Sequence, residues 1–424
     1  MADLGDTNSQ SPRFRYFPQK PMSLQELEIP ESVVADILLR RVHRDGISSL
    51  QSLSQSLKLS FSIVSGVFQK LRSQQLFDIS GLEGNNYFFS LTNAGRELAE
   101  NRLRLSRYSG PAPVSLEAYS SAVKAQAGQL QINGTKLRKA LFDLVLPDRF
   151  LDQLGPALVS QNSVFLYGPT GNGKTSVAIR IPRVYNDLVF IPYAVEYDGQ
   201  IILIHDPSVH REIEVRAANL DPRWVLCERP CIAVGGELDL SMLELRYDDT
   251  SGTYVAPPQM KANNGVFIID DFGRQMITPQ HLLNRWIIPL DRNIDYLTLS
   301  HGRKFQTPFK IMVVFATNMQ PRELGDEAFL RRIRNKVYVG AVEDGDFDGI
   351  FRRLLSERKL PFDPDIFETL RSLCRENSRR EDLSACYPID ILNIVISISK
   401  YEEQPVQINR EILKRAASIY FSRT

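Results

Sequence analysis

The segment SVFLYGPTGNGKTSVAIRI constrains this chain more than any other. Val164 to Gly168 read as a short, mostly apolar, buried strand. The pattern G-x-x-x-x-G-K-T then runs from Gly168 to Thr175, and a helix follows. A glycine-rich loop between a strand and a helix turns its backbone N–H groups inward. The helix N-terminus adds partial positive charge, so the segment is suited to surrounding phosphate oxygens. The residues expected to form this cradle are Gly168, Pro169, Thr170, Gly171, Asn172, Gly173, Lys174, Thr175 and Ser176. Lys174 is expected to reach β- and γ-phosphate oxygens, and the Thr175 hydroxyl to ligate Mg2+. The alternative, a glycine-rich turn with an exposed lysine, needs a chance match of pattern and context together.

Three later segments extend the reading. In GVFIIDDFGRQ, Val266 to Ile269 form a second buried strand that ends in two carboxylates. Ligands collect at the C-terminal edge of a parallel sheet. Asp270 is therefore a candidate for holding the Mg2+ shell, and Asp271 for orienting or deprotonating an attacking water. Alternatively, Asp271 caps the following helix. The strand KIMVVFATN ends at Thr317-Asn318. The Asn318 amide can hold a water without bringing charge, although asparagine is also an ordinary turn former. In DEAFLRRIRNKVYVG, Arg331, Arg332 and Arg334 precede a short strand. An arginine there can reach the γ-phosphate of a neighbouring subunit, or it belongs to a solvated basic helix end.

These four motifs, in this order, resemble those of an AAA+ ATPase over residues 140–424. LELRYDDTSGTYVAPPQMKANNGVFIIDDFGRQ resembles the MoxR-like clade, in which an insert interrupts the second helix. LDRNIDYLTLSHGRKFQTPFKIMVVFATN resembles the β-hairpin that precedes the sensor-1 strand in the same wider clade. The resemblance implies an α/β fold: a P-loop NTPase core with a parallel sheet sandwiched by helices, followed by a C-terminal helical lid. It also implies ATP and Mg2+, a hexameric or spiral homo-oligomeric ring, and conformational work on a protein client. By position, Arg332 matches the arginine finger best, Arg334 is second, and Arg274 falls where the clade often carries an arginine. Two departures stand out. Most of the family has Asp-Glu where this chain has Asp270-Asp271, and Ile389 stands where a lid arginine is expected, leaving Arg379 or Arg380 as substitutes.

The 424 residues are ample for several domains. Residues 1–24 read as a flexible tail, 25–108 as a winged helix-turn-helix, and 109–139 as a Ser/Gly/Pro-containing linker. Residues 140–340 read as the ATPase domain with an insert at 186–229, and 341–424 as the lid. The winged-helix reading rests on three helical segments, two extended pieces around Gly84-Asn85-Asn86, and a closing helix. That unit holds ten Lys/Arg and nine Asp/Glu, and the whole chain carries a net charge of +1. Phosphate neutralisation dominates DNA affinity, so this balance favours protein docking over DNA binding, with DNA the alternative. Four cysteines, a polar start and no apolar run of spanning length point to a cytoplasmic protein without membrane insertion. His205, His210, Cys227 and Cys231 have spacings unlike the usual zinc fingers, and core or surface roles are expected for them.

Overall fold

The computed structural model describes residues 2–3, 14–128, 132–324, 331–361, 364–378 and 382–421. At its centre lies a five-stranded sheet in the order Cys231–Val234, Val266–Ile269, Met312–Thr317, Val164–Tyr167, Asn335–Tyr338. Every neighbouring pair is parallel. Parallel strands covered on both faces need apolar residues at every position rather than at alternate ones. VFII and MVVFAT meet that demand and are buried throughout. Val164, Leu166, Ile268 and Val314 face one helical layer, together with Leu154, Leu158 and Val177. Phe165, Phe267, Ile269 and Phe315 face the other, around Trp286, Leu282 and Leu283. The strand before the glycine loop sits inside the sheet. The chain leaves it and reaches the next strand in sequence only after passing over two others, which opens a crevice at the strands' C-terminal ends.

Beyond this sheet, the chain departs from the expected division. The expected 186–229 insert is one part of a larger β-assembly gathered from distant segments. Its own five-stranded sheet runs Arg246–Asp248, Thr253–Val255, Gln200–Leu203, Ala194–Tyr197, Val114–Ser115. A strand pair, Leu188–Pro192 with Trp224–Glu228, and a hairpin, Ile294–Thr298 with Lys304–Pro308, share its core. Residues 109–139, read as a linker, supply a strand and the helix Leu116–Gln126 to this assembly, with Ser115 as the N-cap. Their position is held by Arg223, which is buried, forks onto Asp221 and donates to the Pro113 carbonyl at 3.0 Å. Removing one partner of a buried pair like this costs about 3–5 kcal/mol.

The expected tail is likewise fixed over its described part. Phe14 and Phe17 lie against Phe190, and Tyr16 against Trp224. Asp221 N–H donates to the Pro18 carbonyl at 2.9 Å.

Residues 31–105 fold as helices Glu31–Asp45, Leu50–Leu57 and Phe61–Ser73, a hairpin of Phe77–Glu83 with Asn86–Leu91, and a closing helix Asn93–Leu105. This unit rests on the β-assembly: its core continues into Ala194 and Ile201, and Arg107 N–H donates to the Ser251 carbonyl at 2.7 Å. The C-terminal helices Asp344–Glu357, Asp365–Asn377, Tyr387–Tyr401 and Arg410–Tyr420 enclose a separate core around Phe347, Leu370, Leu392 and Leu413. Among the described residues, no helix is long and apolar enough to cross a membrane.

Candidate functional site

The glycine loop follows the strand Val164–Tyr167 and opens the helix Lys174–Arg180. Gly168 has φ 144°, and a Cβ there would meet the Val339 carbonyl oxygen at 2.2 Å, so only glycine lets the loop leave the sheet this close to its neighbour. Inside the loop, Lys174 is buried, and its Nζ donates to the carbonyls of Gly168 (2.9 Å) and Pro169 (2.7 Å). Burial lowers the Lys174 pKa from its ordinary value, and the Asp271 and Asp270 carboxylates oppose that shift. An ammonium held this way, away from solvent, is ready to exchange loop carbonyls for stronger anionic acceptors.

Thr175 Oγ1 donates to Asp270 Oδ1 at 2.9 Å. The two side chains expected to share a metal shell thus meet, one from the first turn of the helix after the loop and the other from the end of the adjacent strand. Oxygen donors in this pairing fit Mg2+, which prefers oxygen and keeps part of its water shell. Asp271, next along, is exposed and has φ 48°, an uncommon left-handed conformation for a non-glycine residue. The turn is held by its surroundings. Phe272 N–H donates to the Ala316 carbonyl at 2.8 Å, Thr317 Oγ1 donates to the Phe272 carbonyl at 2.6 Å, and Gln275 Nε2 donates to the Asp270 carbonyl at 2.8 Å. Asp271 does not cap the following helix, Pro279–Arg292, whose N-cap is Thr278. Gln275 and Thr317 were not singled out from the sequence, because their role is to shape the carboxylate turn and no motif marks it.

Two cavities flank the loop. One, of about 390 Å3, is lined by Lys174, Thr175 and Asp271, and by Val145, Leu146, Ile350, Leu354 and Ile389. Its polar end holds the loop, and its apolar end lies between the first helical layer and the lid. A phosphate-bearing ligand with a flat, apolar portion fits that gradient. The other cavity, of about 1220 Å3, brings Asn318 beside Pro169, Thr170, Gly171 and Asn172, and is closed by lid residues including Glu376, Ser384 and Tyr387. Ile389, at the expected lid-arginine position, lines the apolar side of the smaller cavity. Arg379 and Arg380 lie outside the described residues.

The arginines stand elsewhere. Arg331, Arg332 and Arg334 line a cavity of about 260 Å3 with Asn162 and Ser163, at the start of the glycine-loop strand. Ser163 Oγ reaches the Arg332 carbonyl at 3.5 Å. A four-residue strand spans about 13 Å, so these side chains lie a strand's length from the loop of their own chain. Arg331 and Arg334 are exposed and Arg332 is half-buried. Arg274 is exposed beside the carboxylate turn.

The His205 and His210 rings stack with their centroids 5.5 Å apart, but Cys227 and Cys231 do not join them in a metal-holding group among the described residues. His210 Nδ1 accepts from the Asp206 N–H at 2.9 Å, and its Nε2 faces the Lys261 carbonyl at 3.0 Å, so both ring nitrogens are engaged. Among the described residues, no three His, Cys, Asp or Glu side chains gather as a metal-holding group.

Residues 343–419 match a family model described as a domain of unknown function (DUF8689). No curated protein matches the chain. Solved structures with some likeness include the Thermotoga maritima RuvB Holliday junction branch migration motor, at 14% identity over 67% of this chain and 73% of that chain, with a TM-score of 0.40. Another is NtrX from Brucella abortus, at 12% identity over 78% and 68%, with a TM-score of 0.42. The glycine loop, the carboxylate pair and Asn318 thus stand at the C-terminal ends of adjacent strands of the parallel sheet of an α/β fold.

Proposed function

We propose that this chain binds and hydrolyses ATP with Mg2+ at the glycine loop and spends the energy on remodelling a protein partner within a ring oligomer. The observation that carries the catalytic reading is the Thr175–Asp270 hydrogen bond beside Lys174 and Asp271, with all four side chains at one loop. Thr175 and Asp270 would hold Mg2+, which supplies charge neutralisation to the phosphate oxygens. Lys174 draws charge from the terminal phosphoryl group. Asp271 orients the attacking water and takes its proton as the bond to the leaving oxygen breaks, and Asn318 holds that water through its amide. Aspartate is one methylene shorter than glutamate, so the water must approach the strand end more closely. Arg332, or in its absence Arg334, would complete the site of the neighbouring copy, since neither is near the loop of its own chain.

Protein remodelling is favoured over DNA binding by the state of the cations on residues 25–108, which we read as a winged-helix-like unit. On its third helix, Lys70 Nζ pairs with Glu31 at 2.7 Å, and Arg72 lies over the Tyr87 ring. Arg41 pairs with Asp45, and Arg102 with Asp36. Cations already engaged this way leave little to neutralise a phosphate backbone.

Asp271→Asn tests the catalytic reading. The variant should retain Mg2+-ATP in an equilibrium binding assay while phosphate release falls by about 100-fold or more, the scale of general-base catalysis. Wild-type turnover in that variant would refute the role. Tight binding of the full chain to duplex DNA near physiological salt would favour the DNA-associated alternative.

A further inference from the structure

The lid touches the glycine loop directly, through peptide groups rather than through a charged side chain. Cys386 N–H donates to the Gly171 carbonyl at 2.9 Å, and Ala385 N–H donates to Asn172 Oδ1 at 3.2 Å. The approach is as close as the backbone allows. A Cβ on Gly171 would stand 2.6 Å from Cys386 Sγ, and Gly171 also has φ 82°. Asn172 is 5% exposed, its Nδ2 is buried without a hydrogen-bond partner, and the residue lines both cavities that flank the loop. A buried amide donor left without an acceptor is destabilising, so this arrangement favours any rearrangement that brings it one.

On the lid side, the contacting segment is tied to two helices. Cys386 immediately precedes the helix Tyr387–Tyr401, and Tyr420 from the last helix donates to Asp390 at 3.0 Å and lies 3.7 Å from Cys386 Sγ. Movement at residues 385–386 therefore carries the packed lid core with it.

We propose that Asn172, with the Gly171 carbonyl, is the latch through which the lid responds to the occupancy of the phosphate loop. This rests on the reading of that loop as a nucleotide site. When loop N–H groups turn toward phosphate oxygens, the Gly171–Asn172 peptide turns with them and shifts the acceptors that hold residues 385 and 386. Asn172 Nδ2 is the donor freed to follow that shift. Asn172 is thus a positioning residue that links two bodies, and the coupling acts equally in the reverse direction: the position of the lid changes the affinity of the loop for nucleotide.

Hydrogen exchange of the full chain tests this, read over residues 387–401 and 410–420 with and without a slowly hydrolysed ATP analogue and Mg2+, at analogue concentrations that saturate each variant. In the wild type the analogue should change lid exchange rates by about fivefold or more, the low end of measured coupling between sites. Asn172→Ala should lose that response, and Asn172→Asp, which keeps an acceptor for Ala385 N–H, should recover it. Ala385→Pro deletes the same hydrogen bond from the lid side, leaves the loop sequence intact and should behave like Asn172→Ala, so it decides the matter if Asn172→Ala fails to fold. A wild-type lid response in either Asn172→Ala or Ala385→Pro overturns the latch, as does failure of Asn172→Asp to restore it. Analogue binding by the wild type with no lid response overturns the latch alone. No analogue binding by the wild type overturns the nucleotide assignment and the latch with it.

Discussion

Replacing Lys174 by alanine separates the loop's structural role from its ligand role. In the free chain the ammonium donates to the carbonyls of Gly168 and Pro169, and burial disfavours its charge. Its removal forfeits those two bonds but also relieves the burial of a cation, so the two effects on folding oppose each other. With nucleotide present the balance changes. The ammonium would give at least one charge-assisted bond to phosphate, worth about 1.5–3 kcal/mol. Its loss should weaken ATP affinity by a factor of about 10–150. A ligand at 100 times its dissociation constant stabilises the fold by about 2.7 kcal/mol, and most of that increment disappears if affinity falls 100-fold. The assay is a pair of denaturation curves, with and without Mg2+-ATP at a concentration saturating for the wild type. Lys174→Ala should unfold close to the wild type without nucleotide and gain little from adding it. An equal gain in both proteins would refute the assignment of the loop, because the other cation that lines the smaller cavity among the described residues, Arg353, belongs to the lid and is engaged by Glu357 and the Phe142 carbonyl.

Two further outcomes follow from the geometry. Arg332→Ala should lower ATP turnover by about 10³–10⁵, the range for arginine fingers, with little change in ATP affinity. Mixing it with Lys174→Ala subunits should restore part of the activity, and absence of recovery would speak against action between subunits. His210 is held neutral, since protonated Nδ1 would face the Asp206 N–H, and burial pushes its pKa from 6.5 down to about 4. Its contribution to stability is full above about pH 6.5 and declines as the pH falls toward 4, by up to about 3 kcal/mol. In urea titrations at pH 7 and 4.5, His210→Gln should show a shallower loss than the wild type; an unchanged loss would contradict this.

The sheet and its loop were legible because local pattern and tertiary role coincide there. VFII and MVVFAT are buried on both faces, as is VFLY up to half-buried Tyr167, and the glycines stand where the backbone needs positive φ. The hairpin at 294–308 was legible too, but the β-assembly it joins was not, for a physical reason. Its strands are two to five residues long, and the pairings that tie them into one sheet join distant segments: Val114 pairs with Val195, and Val255 with Leu203. Proline and serine around residues 109–115 read as a linker, yet they mark an edge strand held by Arg223, more than a hundred residues away. Phe14, Tyr16 and Phe17 sat in a polar stretch without periodicity, and only the aromatic partners Phe190 and Trp224 give them a place. Asn172 belonged to the loop motif by position alone. Its contact with Ala385 depends on a lid whose packing no local pattern reveals.

The hairpin Ile294–Thr298/Lys304–Pro308 gives the β-assembly mechanical meaning. It is strung between the helix that follows the Asp270-Asp271 turn and the strand that leads into Asn318, so both candidate catalytic elements bear on it. At its base, buried Asp295 accepts from Arg285 of that helix. At its tip, Arg303 and His301 meet Asp198, and the Ser300 N–H donates to Tyr254 OH at 3.0 Å. The exposed Arg303–Asp198 pair is screened by water and contributes little. The firmer hold comes from Leu297, Leu299 and Phe305, which are buried in the assembly core, with the Phe305 ring tilted against Tyr197 at 4.6 Å between centroids. Full burial of such side chains is worth about 1.5–3 kcal/mol each. The hairpin therefore cannot shift relative to the assembly without giving up several times what the surface pair supplies. The assembly in turn carries residues 31–105 through Ala194, Ile201 and the Ser251 carbonyl. Any displacement at the strand ends that bear Asp271 and Asn318 is thus connected, through buried apolar contacts, to the N-terminal unit on the far side of the β-assembly.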